Sequence, residues 1–206
     1  MRWRRWLPAV AALLVLLAVP RMADARLVDL HAGLRGGALV GWGSDSSTPD
    51  FFDKTRGGVL GFEMGVKLLV LDLSVNFLQV INGSGRVGTL TQFLLGVELD
   101  FPVGSGRSNV SRNRTILRPG INAGFGFGTP GPVSPPLTNS QISDKGFVSN
   151  LKLALEHFLN PYVGVGVEGD VGYHYFLGGM VVTSSKDFSS GMHLTALGTV
   201  TLHLGY

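Results

Sequence analysis

Beyond its first 25 residues the chain alternates apolar and polar residues with a period of two, the mark of strands with one apolar and one polar face. The pattern is cleanest in the last stretch, Gly191–Tyr206. There Met192, Leu194, Ala196, Val200, Leu202, Leu204 and Tyr206 share one face, and His193, Thr195, Thr199, Thr201 and His203 the other. Seven earlier segments repeat it: Leu27–Trp42, Gly57–Leu68, Leu71–Asn82, Thr89–Phe101, Thr115–Gly128, Gly146–Phe158 and Tyr162–Phe176. Between the second and third the apolar parity switches from even to odd without Gly, Pro or Asn at the join. One strand across both would be far longer than a bilayer needs, so a tight turn is expected near Leu68–Val70.

Polar connections separate most other segments, the longest being Thr129–Lys145 with Pro130, Pro132, Pro135 and Pro136. Prolines remove backbone donors and stiffen the chain, so this stretch reads as a loop. An even number of strands with both ends on one side closes into an up-and-down barrel and leaves no sheet edge. The expected fold is all-β, an eight-stranded antiparallel up-and-down transmembrane β-barrel over residues 26–206. Gly43–Arg56, Asn82–Gly88, Thr129–Lys145 and Leu177–Ser190 are then outward loops, and the turns near Leu69 and Asn160 are short and periplasmic. The Val103–Arg114 turn is longer than that pattern expects.

Composition narrows the class. The 30 glycines are too many for a helical protein, and 15% charged residues is low for a soluble surface. Mean hydropathy is +0.28, yet after the leader no apolar run is long enough for a membrane helix. Met1–Ala25 has a basic start (Arg2, Arg4, Arg5), an apolar middle (Leu7–Pro20) and the small-residue exit Ala23-Asp24-Ala25, the layout of a secretory signal peptide cleaved near Ala25. The chain has 17 Lys+Arg and 14 Asp+Glu, but this leader holds four of the bases and one acid, so the remainder is formally neutral. Nucleic-acid binding gains no support from charge. With no cysteine, lipoprotein anchoring and disulfides are excluded.

Alternation alone does not say which face is inside, and a soluble lipocalin-like barrel would hide the apolar one. Three features favour lipid outside. The apolar face is almost free of charge, with His157 the exception. The polar face mixes both signs among glycines, as a tightly filled lumen requires. Trp42, Phe101, Tyr175 and Tyr206 fall near strand ends, where interfacial aromatics sit.

An eight-stranded barrel is just wide enough to be filled by its own side chains. The inward acids are Asp29, Glu63, Asp72, Glu98, Asp100, Glu156, Glu168 and Asp170, and the inward bases Arg35, Lys67, Arg118 and Lys152. Buried charge is costly unless paired, so a lumen network is expected, with Lys152 opposite Glu168 and Arg118 near Glu156. Surplus acids should share protons, meet a histidinium or contact water. His174 and His193 are expected opposite each other near the outer mouth. They have the chemistry for a metal or an acid sensor, but no third ligand is specified, and two lumen imidazoles are the plainer reading. The G-x-G fragments in Gly120–Gly128 and Gly164–Gly172 continue as strands, so they ease curvature and packing and are not phosphate loops. Neither a cofactor nor a metal is expected.

Across nearly all of residues 26–206 the architecture and C-terminal pattern resemble small bacterial outer-membrane β-barrels, the OmpA-like transmembrane domain and OmpX-like proteins. The resemblance implies the outer membrane of a Gram-negative bacterium, contact with membrane lipid and lipopolysaccharide, and insertion by the barrel-assembly machinery. Val200, Leu202, Leu204 and Tyr206 match that machinery's recognised alternation. It implies no enzymatic activity, but a role for the outer loops in adhesion, docking of an envelope protein partner or envelope integrity; in this chain no extra periplasmic domain to bind peptidoglycan is expected. A small or gated channel is the alternative. A lipid A-modifying hydrolase is a weaker one, because the lipid A deacylase family carries an outward His-x-Ser pair where this chain has the inward His193-Leu194-Thr195.

Overall fold

The computed structural model describes residues 27–43, 56–82, 87–103, 114–129, 144–177 and 188–205. The leader, the four outward loops, most of the Val103–Arg114 connection and Tyr206 lie outside these residues. The elements are β1 (Val28–Gly43), β2 (Arg56–Leu68), β3 (Leu71–Asn82), β4 (Val87–Glu98), β5 (Phe101–Val103), β6 (Arg114–Thr129), β7 (Asp144–Phe158), β8 (Val163–Leu177) and β9 (Phe188–Gly205). All pairings are antiparallel; β9 returns to β1 and β4 pairs β6, so the sheet closes on itself. The result is a barrel of eight staves, the fourth of them made of β4 and β5.

That stave departs from the expected continuous strand over Thr89–Phe101. Its neighbour β3 begins at Leu71, opposite Val97, so beyond Glu98 only β6 remains to pair with. Leu99 donates its N–H to the Pro119 carbonyl at 3.0 Å, and β5 resumes the ladder opposite Thr115–Leu117. The two-residue turn after β2 is closed by the Leu68–Leu71 pair and puts Leu69 at φ 57°, a left-handed conformation in which a non-glycine residue is strained. At the β7–β8 turn, the Asn160 side-chain oxygen accepts from the N–H groups of Tyr162 (2.8 Å) and Val163 (2.9 Å).

The outside of the closed sheet is a wall of large apolar side chains. Leu34 is 69% exposed, Leu95 60%, Leu151 61% and Val167 61%, with one such residue or more on every long strand. A continuous apolar belt on this scale is unfavourable in water and matched to hydrocarbon. Closure satisfies the backbone within the sheet, which is what a bilayer core demands. The chain is a transmembrane β-barrel. Trp42, Phe101 and Tyr175 are exposed near strand ends.

The inner wall corrects the expectation of a polar lumen throughout. Toward the loop end, Leu39, Val59, Leu78, Val80, Leu90, Leu94, Val148, Phe176 and Leu197 form one buried apolar cluster inside the barrel. In this half apolar residues occupy both faces, as in Leu39-Val40 and Leu94-Leu95. A reading that counts only the outward apolar set therefore leaves the inward set unseen.

Candidate functional site

The charged residues of the inner wall form two tiers in the half nearest the termini. The outer tier strings side chains across the barrel. Lys67 Nζ lies 2.6 Å from Asp100 Oδ1, which also accepts from Arg118 Nε at 2.9 Å. Arg118 Nη1 contacts Glu156 Oε2, and Glu156 Oε1 lies 3.0 Å from His203 Nε2. His203 Nδ1 then meets Asp29 Oδ2 at 2.7 Å. Both ring nitrogens of this buried histidine face carboxylates, an arrangement that imidazolium, with two donors, satisfies. Phe158, 3% exposed, lies beside this tier: its ring centre is 4.8 Å from the Arg114 guanidinium carbon and 5.0 Å from the His203 ring.

The inner tier is centred on two cations. Arg35 contacts Glu63, reaches Glu168 Oε2 at 3.1 Å and donates to Asn76 Oδ1 at 3.0 Å. Lys152 Nζ lies 2.7 Å from Glu98 Oε1, 3.3 Å from Glu168 Oε2 and 3.8 Å from Glu63 Oε1. Thr195 donates its hydroxyl to Asp170 at 2.8 Å. All of the acids and bases read from sequence as a lumen network thus lie on the inner wall, with Arg118 in contact with Glu156 as expected, but one strand-to-strand assignment needs correction. Lys152 stands opposite Asp170, not Glu168, because the β7–β8 hairpin is centred on Pro161; it reaches Glu168 diagonally. Arg118 stands opposite Ala154 and reaches Glu156 by the same diagonal.

His174 and His193 also sit differently from expectation. His174 pairs with Gly191 and His193 with Gly172, so they are one diagonal step apart, ring centres 6.2 Å apart. Both are buried in the apolar half, where His174 stacks on Phe176 at 5.0 Å. A Cβ on Gly172 would collide with the His193 ring, so glycine there is what makes room for it. His193 and Thr195 face the lumen, away from any lipid substrate, so this pair is not placed to attack an acyl chain in the membrane. An outward hydroxyl–imidazole contact does occur, Thr115 Oγ1 to His157 Nδ1 at 2.9 Å, with no carboxylate orienting it among the described residues. Val200, Leu202 and Leu204 lie on the lipid face of β9; Tyr206 is outside the described residues.

Two small cavities lie between and above the tiers among the described residues. A cavity of about 40 Å³ lies among the charged residues and one of about 10 Å³ beneath the apolar cluster. Those volumes suit a few waters, not a solute path. Sequence reasoning missed His31, His203, Phe158 and the apolar cluster. The histidines stood on the polar face of their strands, but the partners of His203 come from strands distant in sequence, and those of His31, on the next two strands, do not stand directly opposite it.

The fold and site define a small closed transmembrane β-barrel with a filled, ion-paired lumen. Solved structures of similar shape include Neisserial surface protein A (TM-score 0.47, 12% identity, covering 85% of this chain and 96% of that one). Another is the N-terminal β-barrel domain of Pseudomonas aeruginosa OprF (0.44, 14%, 84% and 97%). A third is Ail, the attachment invasion locus protein of Yersinia pestis, solved with the heparin analogue sucrose octasulfate (0.32, 9%, 84% and 97%). No family model and no curated protein matches the sequence.

Proposed function

We propose that this chain is a non-enzymatic barrel of the Gram-negative outer membrane whose working surface is its loop end. It docks an envelope partner or adhesion ligand there and contributes to envelope integrity. The observation that carries this is the closed interior: an apolar cluster fills the loop half and two tiers of ion pairs fill the other. With the lumen occupied and the wall committed to lipid, the loops are the surface left for recognition. Lipopolysaccharide and membrane lipid contact the outer wall, and the barrel-assembly machinery reads Val200, Leu202, Leu204 and Tyr206. A gated channel is the second reading, favoured by one feature: the Arg35–Lys152 tier stands at both cavities, so its rearrangement would join them.

The test is crosslinking in intact outer membranes, with the natural chain and with loops 130–143 and 178–187 shortened. The proposal expects a specific envelope partner captured by the natural chain and lost on shortening, while the folded barrel survives. Capture of only lipopolysaccharide and assembly factors by both would leave a passive barrel and contradict docking.

A further inference from the structure

The inner wall carries an imbalance. Its eight aspartates and glutamates outnumber its five bases, Arg35, Lys67, Arg114, Arg118 and Lys152, and most of the acids are buried. Most of the acids have a lysine or arginine within reach. Asp72 has the Ser74 hydroxyl but no lysine or arginine at ion-pair distance among the described residues. It is 3% exposed, its nearest cation-capable neighbour is a histidine, and its Oδ1 has no hydrogen-bond partner. A buried carboxylate oxygen left without a partner is costly.

Asp72 Oδ1 points at two other ligand-type atoms. His31 Nε2 is 3.7 Å from it and 3.6 Å from Glu63 Oε1, and all three atoms lie within 4.8 Å of one another. They come from three adjacent strands: His31 on β1, Glu63 on β2 and Asp72 on β3. The imidazole reaches across because β2 has Gly65 opposite it: a Cβ there would lie 2.6 Å from His31 Cε1 and Nε2. We propose that His31, Glu63 and Asp72 form a binding site for a divalent transition-metal ion of the zinc class, set in the ionic half of the lumen.

One imidazole nitrogen and two carboxylate oxygens are ligands zinc accepts, with water completing a tetrahedron. Ligand atoms around a tetrahedral zinc are separated by about 3.3 Å, so only a small closing movement is needed. Glu63 can serve both neighbours, because its Oε2 meets Arg35 while its Oε1 faces His31. Lys152, 3.8 Å from that Oε1, already has Glu98 and Glu168 as closer partners. The neighbouring cavity of about 40 Å³, lined in part by His31, Glu63 and Asp29, supplies room for the ligand water, and the ring side chain of His31 keeps 12% exposure. The ion would staple the first three staves and neutralise Asp72. The site does not depend on what docks at the loops.

The experiment is zinc titration by calorimetry of the full folded barrel, stripped of metal and held in detergent, with the same titration of His31→Asn, Asp72→Asn and His193→Asn. One zinc per barrel is expected, with affinity weakened at least about tenfold in the first two variants and unchanged in His193→Asn. Absence of saturable binding to the natural barrel overturns the proposal, as does retention of full affinity in both site variants. If a site variant does not fold, X-ray absorption of the zinc-loaded natural barrel decides. A single imidazole in an oxygen-rich shell supports the site, whereas two imidazoles would move the ion to His174 and His193 and overturn it.

Discussion

The two halves of the lumen solve the same packing problem with opposite chemistry. Near the loops, Leu39, Leu78, Leu90, Leu94 and Phe176 fill the barrel mainly by apolar contact, with His174 and His193 buried among them. Near the termini, Arg35, Lys152, Arg118 and their carboxylates fill it by pairing. Apolar packing tolerates gradual loss, because each removed methylene costs its own transfer and cavity energy. A buried ion pair fails all at once, because removing one charge leaves the other uncompensated. The ionic half therefore fixes which strands stand opposite one another, and the apolar half excludes water and ions from the loop side.

The sharpest way to break this comparison is Lys152→Ala, which takes from Glu98 its cation and leaves Glu168 with Arg35 alone. A loss of about 3–5 kcal/mol is expected, read as a lower urea midpoint for unfolding of the barrel in lipid vesicles. Leu94→Ala in the other half should cost about 2–4 kcal/mol with the tiers intact. A fall as abrupt as that of Lys152→Ala would mean the halves are not distinct. On the outside, Leu204→Asp puts a charge on the lipid face near the terminal rim, where about 1 kcal/mol is expected. Export should stay normal, with less protein reaching the folded form that migrates differently before and after boiling. Normal folded yield from that variant and from one lacking Tyr206 would count against the assembly-signal role.

The smallest effect belongs to Asp100, at the break in the ladder between β4 and β5. Burial opposes its charge, but Arg118 and Lys67 outweigh burial and hold the carboxyl below its usual range. A lowered folded-state value adds stability that is complete above the unfolded value, about pH 4, and is lost as pH falls through the folded one. Asp100→Asn should therefore flatten the acid limb of a stability–pH curve and leave its slope near neutrality unchanged. An acid limb identical to that of the natural chain would show that Asp100 adds nothing there.

Much of the architecture was legible because strand periodicity assigns each residue to a face. The bounds of β3, Leu71–Asn82, were legible from the parity switch and the strand length a bilayer needs at one end and the polar Asn82–Gly88 connection at the other. The turn before it was legible only through the parity switch, since Leu69 adopts a left-handed φ without the glycine that normally announces one. Periodicity does not give angular position around a closed barrel. The contacts of His203 with Asp29 and Glu156, or of Lys152 with Glu98, join strands far apart in sequence and depend on closure and side-chain reach. Lys152 was set opposite the wrong acid because a shift of one residue in the turn centre moves a pairing by two. The apolar half escaped for a different reason: where both faces are apolar, alternation has no contrast.

The claim on which the rest stands is that this lumen is filled along its length. Single-channel current through the purified barrel in a planar bilayer tests it most directly. Eight staves filled by apolar contacts at one end and ion pairs at the other predict no steady conductance from the natural chain, and brief openings at most once Lys152 or Leu94 is cut to alanine. Steady, porin-sized current from the unmutated barrel would contradict the filled lumen and transfer the function from the loops to the pore.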